Sequence, residues 1–128
     1  LLASYQPVGF AVNLESLLKA INERLEALLD RDHTIGHSHL LKVKGAIDPL
    51  EELRRVLSDH ILPQLHEFFY GSPARIGMVL GTKFVVKRTK AAKLKTVDGE
   101  SEDLDVKDVY DIAPRETWDV EAFRSIYA

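Results

Sequence analysis

Residues 13–29, NLESLLKAINERLEALL, constrain the fold more than any other stretch of the chain. Seven leucine and isoleucine residues recur there at three- and four-residue spacing, with glutamate and arginine on the opposite face. Asn13 stands where an N-cap residue is expected. The pattern predicts a long amphipathic helix that packs its apolar face into a helical bundle. The expected bundle core consists of Leu17, Leu18, Ile21, Leu25, Ile61 and Leu65.

Further helix starts follow in the first two thirds of the chain. The run HSHLLKV leaves room for only a short helix, but Asp48, Pro49 and Glu51 have the spacing of a capping box. The helix that begins there reaches Pro63, which lacks a backbone N–H and must either kink it or open a new helix. Ser72 then precedes a proline as the next N-cap, and Gly81 is suited to end that helix in a left-handed conformation.

The residue pattern changes after Gly81, from helical spacing to short β-prone runs. The runs KFVVKR, KLKTV and DVYDI are short and β-prone, and Asp119 caps a closing helix with apolar residues on one side. We therefore predict a mainly α (α+β) fold, a helical bundle with a small C-terminal β appendage and a final helix. The expected division is a linker over residues 1–12, the bundle over 13–81 and a C-terminal extension over 82–128.

Composition limits the kinds of function that the chain can have. Its 128 residues are 45% hydrophobic, which fits one small domain, and its net charge of -3 gives no global attraction to nucleic acid or anionic lipid. The absence of cysteine excludes disulfides and thiol chemistry and fits a reducing compartment. No apolar run has the length of a membrane span, so we expect a cytoplasmic protein.

Most of the polar chemistry is concentrated in residues 30–39, DRDHTIGHSH. His33 and His37 are four residues apart, and Asp32 or His39 could complete a zinc site, but Gly36 interrupts the helix that this geometry needs. A Ser38 nucleophile beside His37 or His39 is less favoured, because adjacent side chains on a helix point apart. For any single residue, capping and turn formation is the leading interpretation, and we predict no metal site.

The order of residues in two segments carries more information than their content. INERLEALLDRDHTIGHS, followed by ILPQLHEFFYGSPARIGMVLG, resembles the C-terminal part of the AAA+ module in the McrB-type family, the nucleotide-driven subunits of methylcytosine-directed restriction systems. The resemblance covers roughly residues 10 to 81. It departs from the family at His39-Leu40, where an aromatic pair is usual, and at Leu65-His66, where Leu-Gln is common.

The resemblance implies the helical lid of an AAA+ NTPase, which closes over a nucleotide held by an upstream core in the same chain. These 128 residues contain neither a G-x-x-x-x-G-K-[ST] phosphate-binding motif nor an acidic magnesium motif, so we expect no catalytic residues and no cofactor in this chain. In such lids a sensor arginine often begins a helix near the nucleotide. Because no arginine directly follows Ser38, the expected nucleotide contact is His37 with the backbone amides of Gly36 and Ser38, helped by Arg31.

The intact protein implied by this family hydrolyses GTP or ATP with Mg²⁺, assembles into a homo-oligomeric ring, expected to be a hexamer, and drives an effector such as a restriction endonuclease. An alternative is a stand-alone helical adaptor that binds a protein or nucleic acid through Lys83–Lys95, which holds six basic residues. A solvated strand face, balanced by the acidic run after it, explains the same charges without a ligand. A P-loop encoded upstream of this chain would favour the lid over the adaptor.

Overall fold

The computed structural model describes residues 6–89 and 108–128, and this part of the chain holds five α-helices and two β-strands. In chain order they are α1 (Leu14–Leu28), α2 (Pro49–Val56), α3 (Leu62–Phe68), α4 (Pro73–Leu80), β1 (Val85–Thr89), β2 (Asp108–Ile112) and α5 (Val120–Tyr127). Single 3₁₀ turns lie at Leu40–Val43 and Arg115–Thr117, and a π-helical turn at Leu57–Ile61 joins α2 to α3. The predicted mainly helical fold with a small sheet and a closing helix is confirmed.

Helix α1 is the longest helix of the described residues. Its N-cap is Asn13, whose Oδ1 accepts a hydrogen bond from the backbone N–H of Ser16 at 2.9 Å. Its buried face is Leu14, Leu17, Ile21 and Leu25. Of the predicted core, Leu17, Ile21, Leu25, Ile61 and Leu65 are buried. Leu18 is only half-buried against that core, because it lies at the edge of the apolar stripe rather than at its centre.

Only half of the predicted capping box forms at the start of α2. Asp48 Oδ1 accepts a hydrogen bond from Glu51 N at 3.2 Å, but the Glu51 side chain does not return to the backbone of Asp48. Its two carboxylate oxygens instead accept hydrogen bonds from Arg115, at 2.6 Å, and from Arg54, at 3.3 Å. Two arginine side chains, one of them distant in sequence, have therefore replaced the backbone N–H of Asp48 as the partner of Glu51.

The proline at position 63 opens a new helix rather than ending the helical run. Leu62 N donates a hydrogen bond to Leu57 O, five residues back, which defines the π-helical turn. Pro63 then falls in the first turn of α3, a position that proline tolerates. The change in helix geometry that was predicted at Pro63 is thus a widened, π-helical turn just before it.

Helix α4 connects the bundle to the sheet. Ser72 caps it and Gly81 ends it with φ 93° and ψ 179°, so φ is positive as predicted but ψ is extended. Gly77 brings the helix close to β1, since a Cβ at this position would lie 3.1 Å from the Cβ of Val85. The strands pair antiparallel, with Val85 opposite Ile112. KLKTV, the third run predicted to be β-prone, lies outside the described residues.

Buried aromatic residues that precede β1 and follow β2 in the sequence belong to the same core as α1. Phe84 packs against Trp118 and Phe123 at centroid distances of 5.8 and 5.2 Å. The Trp118 indole N–H donates to Ala113 O at 3.1 Å, so the buried ring has its polar atom satisfied. Residues 84–128, so far as they are described, therefore pack onto the bundle through apolar burial.

Polar contacts tie the final helix to the bundle as well. The Arg24 guanidinium, on α1, donates to Val79 O at 2.6 Å and to Ile126 O at 2.5 Å, in the last turns of α4 and α5. Asn13 N donates to the phenolic oxygen of Tyr127 at 2.8 Å. Gln6, before α1, donates to Val12 O and accepts from Leu14 N. The predicted boundaries of linker, bundle and extension stay predictions, but α1, α4 and α5 are joined directly.

Candidate functional site

The loop of residues 30–39, here called the 30–39 loop, connects α1 to the 3₁₀ turn at Leu40–Val43 and contains no helix. Asp30 organises its first half. Asp30 Oδ1 accepts hydrogen bonds from Asp32 N at 2.9 Å and His33 N at 3.2 Å, and lies 2.6 Å from His33 Nδ1. The hydrogen bond from the His33 side chain is the main cause that lowers the pKa of Asp30. The first half of the loop is a carboxylate-centred turn, as the capping interpretation predicted.

Two contacts fix the first half of the 30–39 loop to the bundle. The Asn22 side chain on α1 donates to Ile35 O at 3.0 Å and accepts from Ile35 N at 2.7 Å, and the Ile35 side chain is buried. The His33 ring meets the edge of Phe68, on α3, with centroids 5.1 Å apart and planes at 88°. Because both backbone groups of Ile35 are paired, the chain leaves the bundle surface at Gly36 from a fixed position.

The four residues predicted to contact nucleotide all lie on the surface. The Arg31 side chain is 89% exposed and its ion pair is with Glu26, at 3.4 Å. Gly36, His37 and Ser38 are exposed, and the His37 carbonyl accepts hydrogen bonds from Leu40 and Leu41 N. No hydrogen bond or ion pair joins Arg31 to residues 36–38, all of which the structure describes. Their role as a nucleotide contact stays a prediction.

The histidines of this loop face different elements. His33 contacts Asp30 and Phe68, whereas the His39 ring stacks on that of His60, in the π-helical turn, with centroids 3.7 Å apart and planes at 7°. Over residues 6–89 and 108–128, no group of three or more histidine, aspartate or glutamate side chains is arranged to hold a metal ion. The structure therefore separates the residues that a zinc site would need together.

His39 is unusual among these histidines. Its Nδ1 is buried without a hydrogen-bond partner. Burial is the main cause that lowers the pKa of His39, followed by the charges of His60 and Lys42. Sequence reasoning treated His39 only as a possible ligand or base. It missed the stacking partner, because His60 is 21 residues further along the chain and no local pattern joins the two.

A second polar element, at the start of α4, was missed by sequence reasoning. Phe68, which contacts His33, is followed by a turn in which Tyr70 and Gly71 have positive φ angles of 52° and 76°. The turn presents Arg75 in the first turn of α4, exposed and without an ion pair in the part of the chain described here. An arginine near the start of a helix is the feature that the sequence resemblance implied. The Ser72-Pro73 start signal, two residues before Arg75, could have located it.

The described part of the basic run is only partly available to a ligand. Arg88, on β1, forms an ion pair with Asp111 across the hairpin, and Lys87 has a partner as well. Lys90, Lys93 and Lys95 lie outside the described residues. Nothing in the described part of the run favours a nucleic-acid surface over a solvated strand.

The helices described here are also too short or too polar to cross a lipid bilayer. The longest, α1, has 15 residues and carries charged residues along one face.

These observations define a small α-helical domain with a polar loop that is anchored to α1 and α3, and with an exposed arginine in the first turn of α4. The profile of the family described as McrB, alpha-helical lid domain, matches residues 13–77, just over half of the chain. The chain therefore belongs to this lid-domain family, and the resemblance inferred from the sequence is confirmed. Comparison with curated proteins and with solved structures found no match.

Proposed function

We propose that this chain is the lid of a McrB-like AAA+ NTPase, in which it couples the state of a bound GTP or ATP to a partner such as a restriction endonuclease. The observation that carries the proposal is the family match over residues 13–77. The phosphate cradle and Mg²⁺ site are assigned to a core in the same intact chain, because the 128 residues contain no G-x-x-x-x-G-K-[ST] motif. The intact protein is expected to work as a homo-oligomeric ring, with a hexamer as the expected size.

The contribution of the lid follows from how its polar residues are held. The 30–39 loop is fixed to α1 through Ile35 and to α3 through His33. From this loop project Arg31, Gly36, His37 and Ser38. Arg75 projects from the first turn of α4, where the helix dipole adds to its positive charge. A charged nucleotide phosphate would be attracted to such a surface, and a rigid bundle can move as one body when that phosphate is lost.

The first test uses the chain as it stands. We expect purified residues 1–128 to bind ATP and GTP weakly and to hydrolyse neither, because catalysis of phosphoryl transfer needs phosphate-binding and magnesium-binding groups that the sequence lacks. A turnover assay with Mg²⁺ and each nucleotide measures this. Reproducible hydrolysis that co-purifies with the chain would overturn the lid proposal.

The second test uses the intact NTPase. Arg31→Ala, His37→Ala and Arg75→Ala are each expected to lower nucleotide turnover or ring assembly while leaving thermal stability almost unchanged, since all three side chains are exposed. Arg55→Ala is the matched control, because Arg55 is also an exposed arginine, in a 3.8 Å ion pair with Glu52 on α2. Steady-state hydrolysis, size in solution and thermal melts separate the outcomes. If the three variants behave like Arg55→Ala, the two surface elements only build turns.

A further inference from the structure

The contact between His39 and His60 joins two segments that are otherwise unconnected by side-chain hydrogen bonds. His39 lies at the end of the 30–39 loop and directly before the Leu40–Val43 turn, and His60 lies in the π-helical turn. Their rings are nearly parallel with centroids 3.7 Å apart, which is close van der Waals contact. The stack therefore anchors the second half of the loop, as Asp30, His33 and Ile35 anchor the first half.

The surroundings of the His39 ring favour its neutral form. Nδ1 is buried and has no partner, which suits a lone pair but not an N–H. Adding a proton there would create a buried donor with no acceptor, on a ring stacked against a second histidine. To hydrate this N–H, the segment would have to move outward into water, and the ring would then lose its contact with His60.

The charged groups around His39 do not compensate for this proton. His60, from the π-helical turn, and Lys42, from the turn that follows His39, both disfavour a positive charge on the ring. The acidic residues of α2, which packs on the same turn, have cationic partners of their own: Glu51 binds Arg115 and Arg54, and Glu52 binds Arg55.

We propose that the His39–His60 stack is a proton-operated latch, which holds the Gly36–His39 end of the 30–39 loop against the π-helical turn and releases it on acidification. The latch does not depend on the lid function, since it concerns the order of the loop and not what the loop binds. If the lid function also holds, the latch makes presentation of His37 and Ser38 sensitive to pH.

The sign of the effect follows from the direction of the shift. Because the pKa of His39 is lower in the folded state than its ordinary value of 6.5, the stack contributes its full stability above pH 6.5. That contribution is lost as pH falls from 6.5 through the lower pKa of the folded state. The loop should therefore be ordered at neutral pH and loosen in mild acid, while Asp30 is still ionised.

Amide hydrogen exchange measured by NMR on the whole chain tests the latch. The reporters are the N–H groups of Leu40 and Leu41, which donate to the His37 carbonyl at 3.0 and 3.3 Å. After correction for intrinsic exchange, we expect their protection to fall between pH 7.5 and pH 5, by about tenfold for each pKa unit that separates folded from unfolded His39. His39→Phe keeps a stacked ring that cannot be protonated, and should hold their protection constant with pH.

His66→Phe is the matched control, because His66 is a half-buried histidine on α3 that belongs to neither ring pair. It should lose protection at Leu40 and Leu41 in acid as the native chain does. Equal protection at both pH values in the native chain, or equal loss in native chain and His39→Phe, would overturn the latch. Should His39→Phe not fold, the ring carbon signals of native His39 decide: titration at or above pH 6.5 refutes the proposal, and titration clearly below it supports it.

Discussion

Replacing Arg24 with methionine should destabilise the whole domain, although no sequence pattern marks this arginine as structural. Its guanidinium bridges the last-turn carbonyls of two helices, Val79 O in α4 and Ile126 O in α5, at 2.6 and 2.5 Å. A positive charge at a helix C-terminus is favourable, and here one side chain serves two of them. Methionine retains a long apolar stem but provides no donor.

The size of the effect can be worked out from these two contacts. A hydrogen bond to a charged group contributes about 1.5–3 kcal/mol. Because Arg24 is half-buried, water can partly replace the lost donor at each carbonyl, so each bond belongs at the lower end of that range. We therefore expect Arg24→Met to lower the free energy of unfolding by about 3 kcal/mol, a substantial part of the 5–15 kcal/mol typical of a domain.

Urea unfolding followed by circular dichroism measures this loss, with Arg31→Met as the matched control. Arg31 is 89% exposed and forms a surface ion pair with Glu26, so its replacement should change stability by less than about 1 kcal/mol. Arg24→Met should shift the midpoint at constant m-value, because the buried surface is unchanged. Equal losses for the two variants would refute the bridging role of Arg24 and the direct coupling of α1 to α4 and α5.

Two further substitutions test the core and the α3–α4 turn by the same unfolding measurement. Leu25→Ala removes a fully buried side chain of α1 and should cost about 2–5 kcal/mol, whereas a loss under about 1 kcal/mol would place Leu25 on the surface. Tyr70→Asn should raise stability by about 0.5–1 kcal/mol, because the Tyr70 side chain is 98% exposed and its φ of 52° suits asparagine better; a loss would show that the ring packs on a neighbour.

The sequence alone determined the features that depend on neighbouring residues. The boundaries of α1, α2 and α4 could be predicted because Asn13, Asp48 and Ser72 satisfy the first backbone donors of their own helices within three residues. The burial of Leu17, Ile21 and Leu25 followed from helical spacing, and the family from two ordered segments. The turn around Asp30 is local in the same sense.

The tertiary structure alone decided the contacts between residues far apart in the chain. The sequence pattern predicts that Glu51 completes a capping box, but two arginines bind its carboxylate instead, because a guanidinium adds the attraction of a full positive charge that a backbone N–H lacks. His39 and His60 meet only because a π-helical turn carries His60 to the end of the 30–39 loop. The contact of His33 with Phe68 likewise joins the 30–39 loop to α3. Such pairings depend on how helices pack, and helix packing is set by the shapes of whole faces rather than by any local pattern.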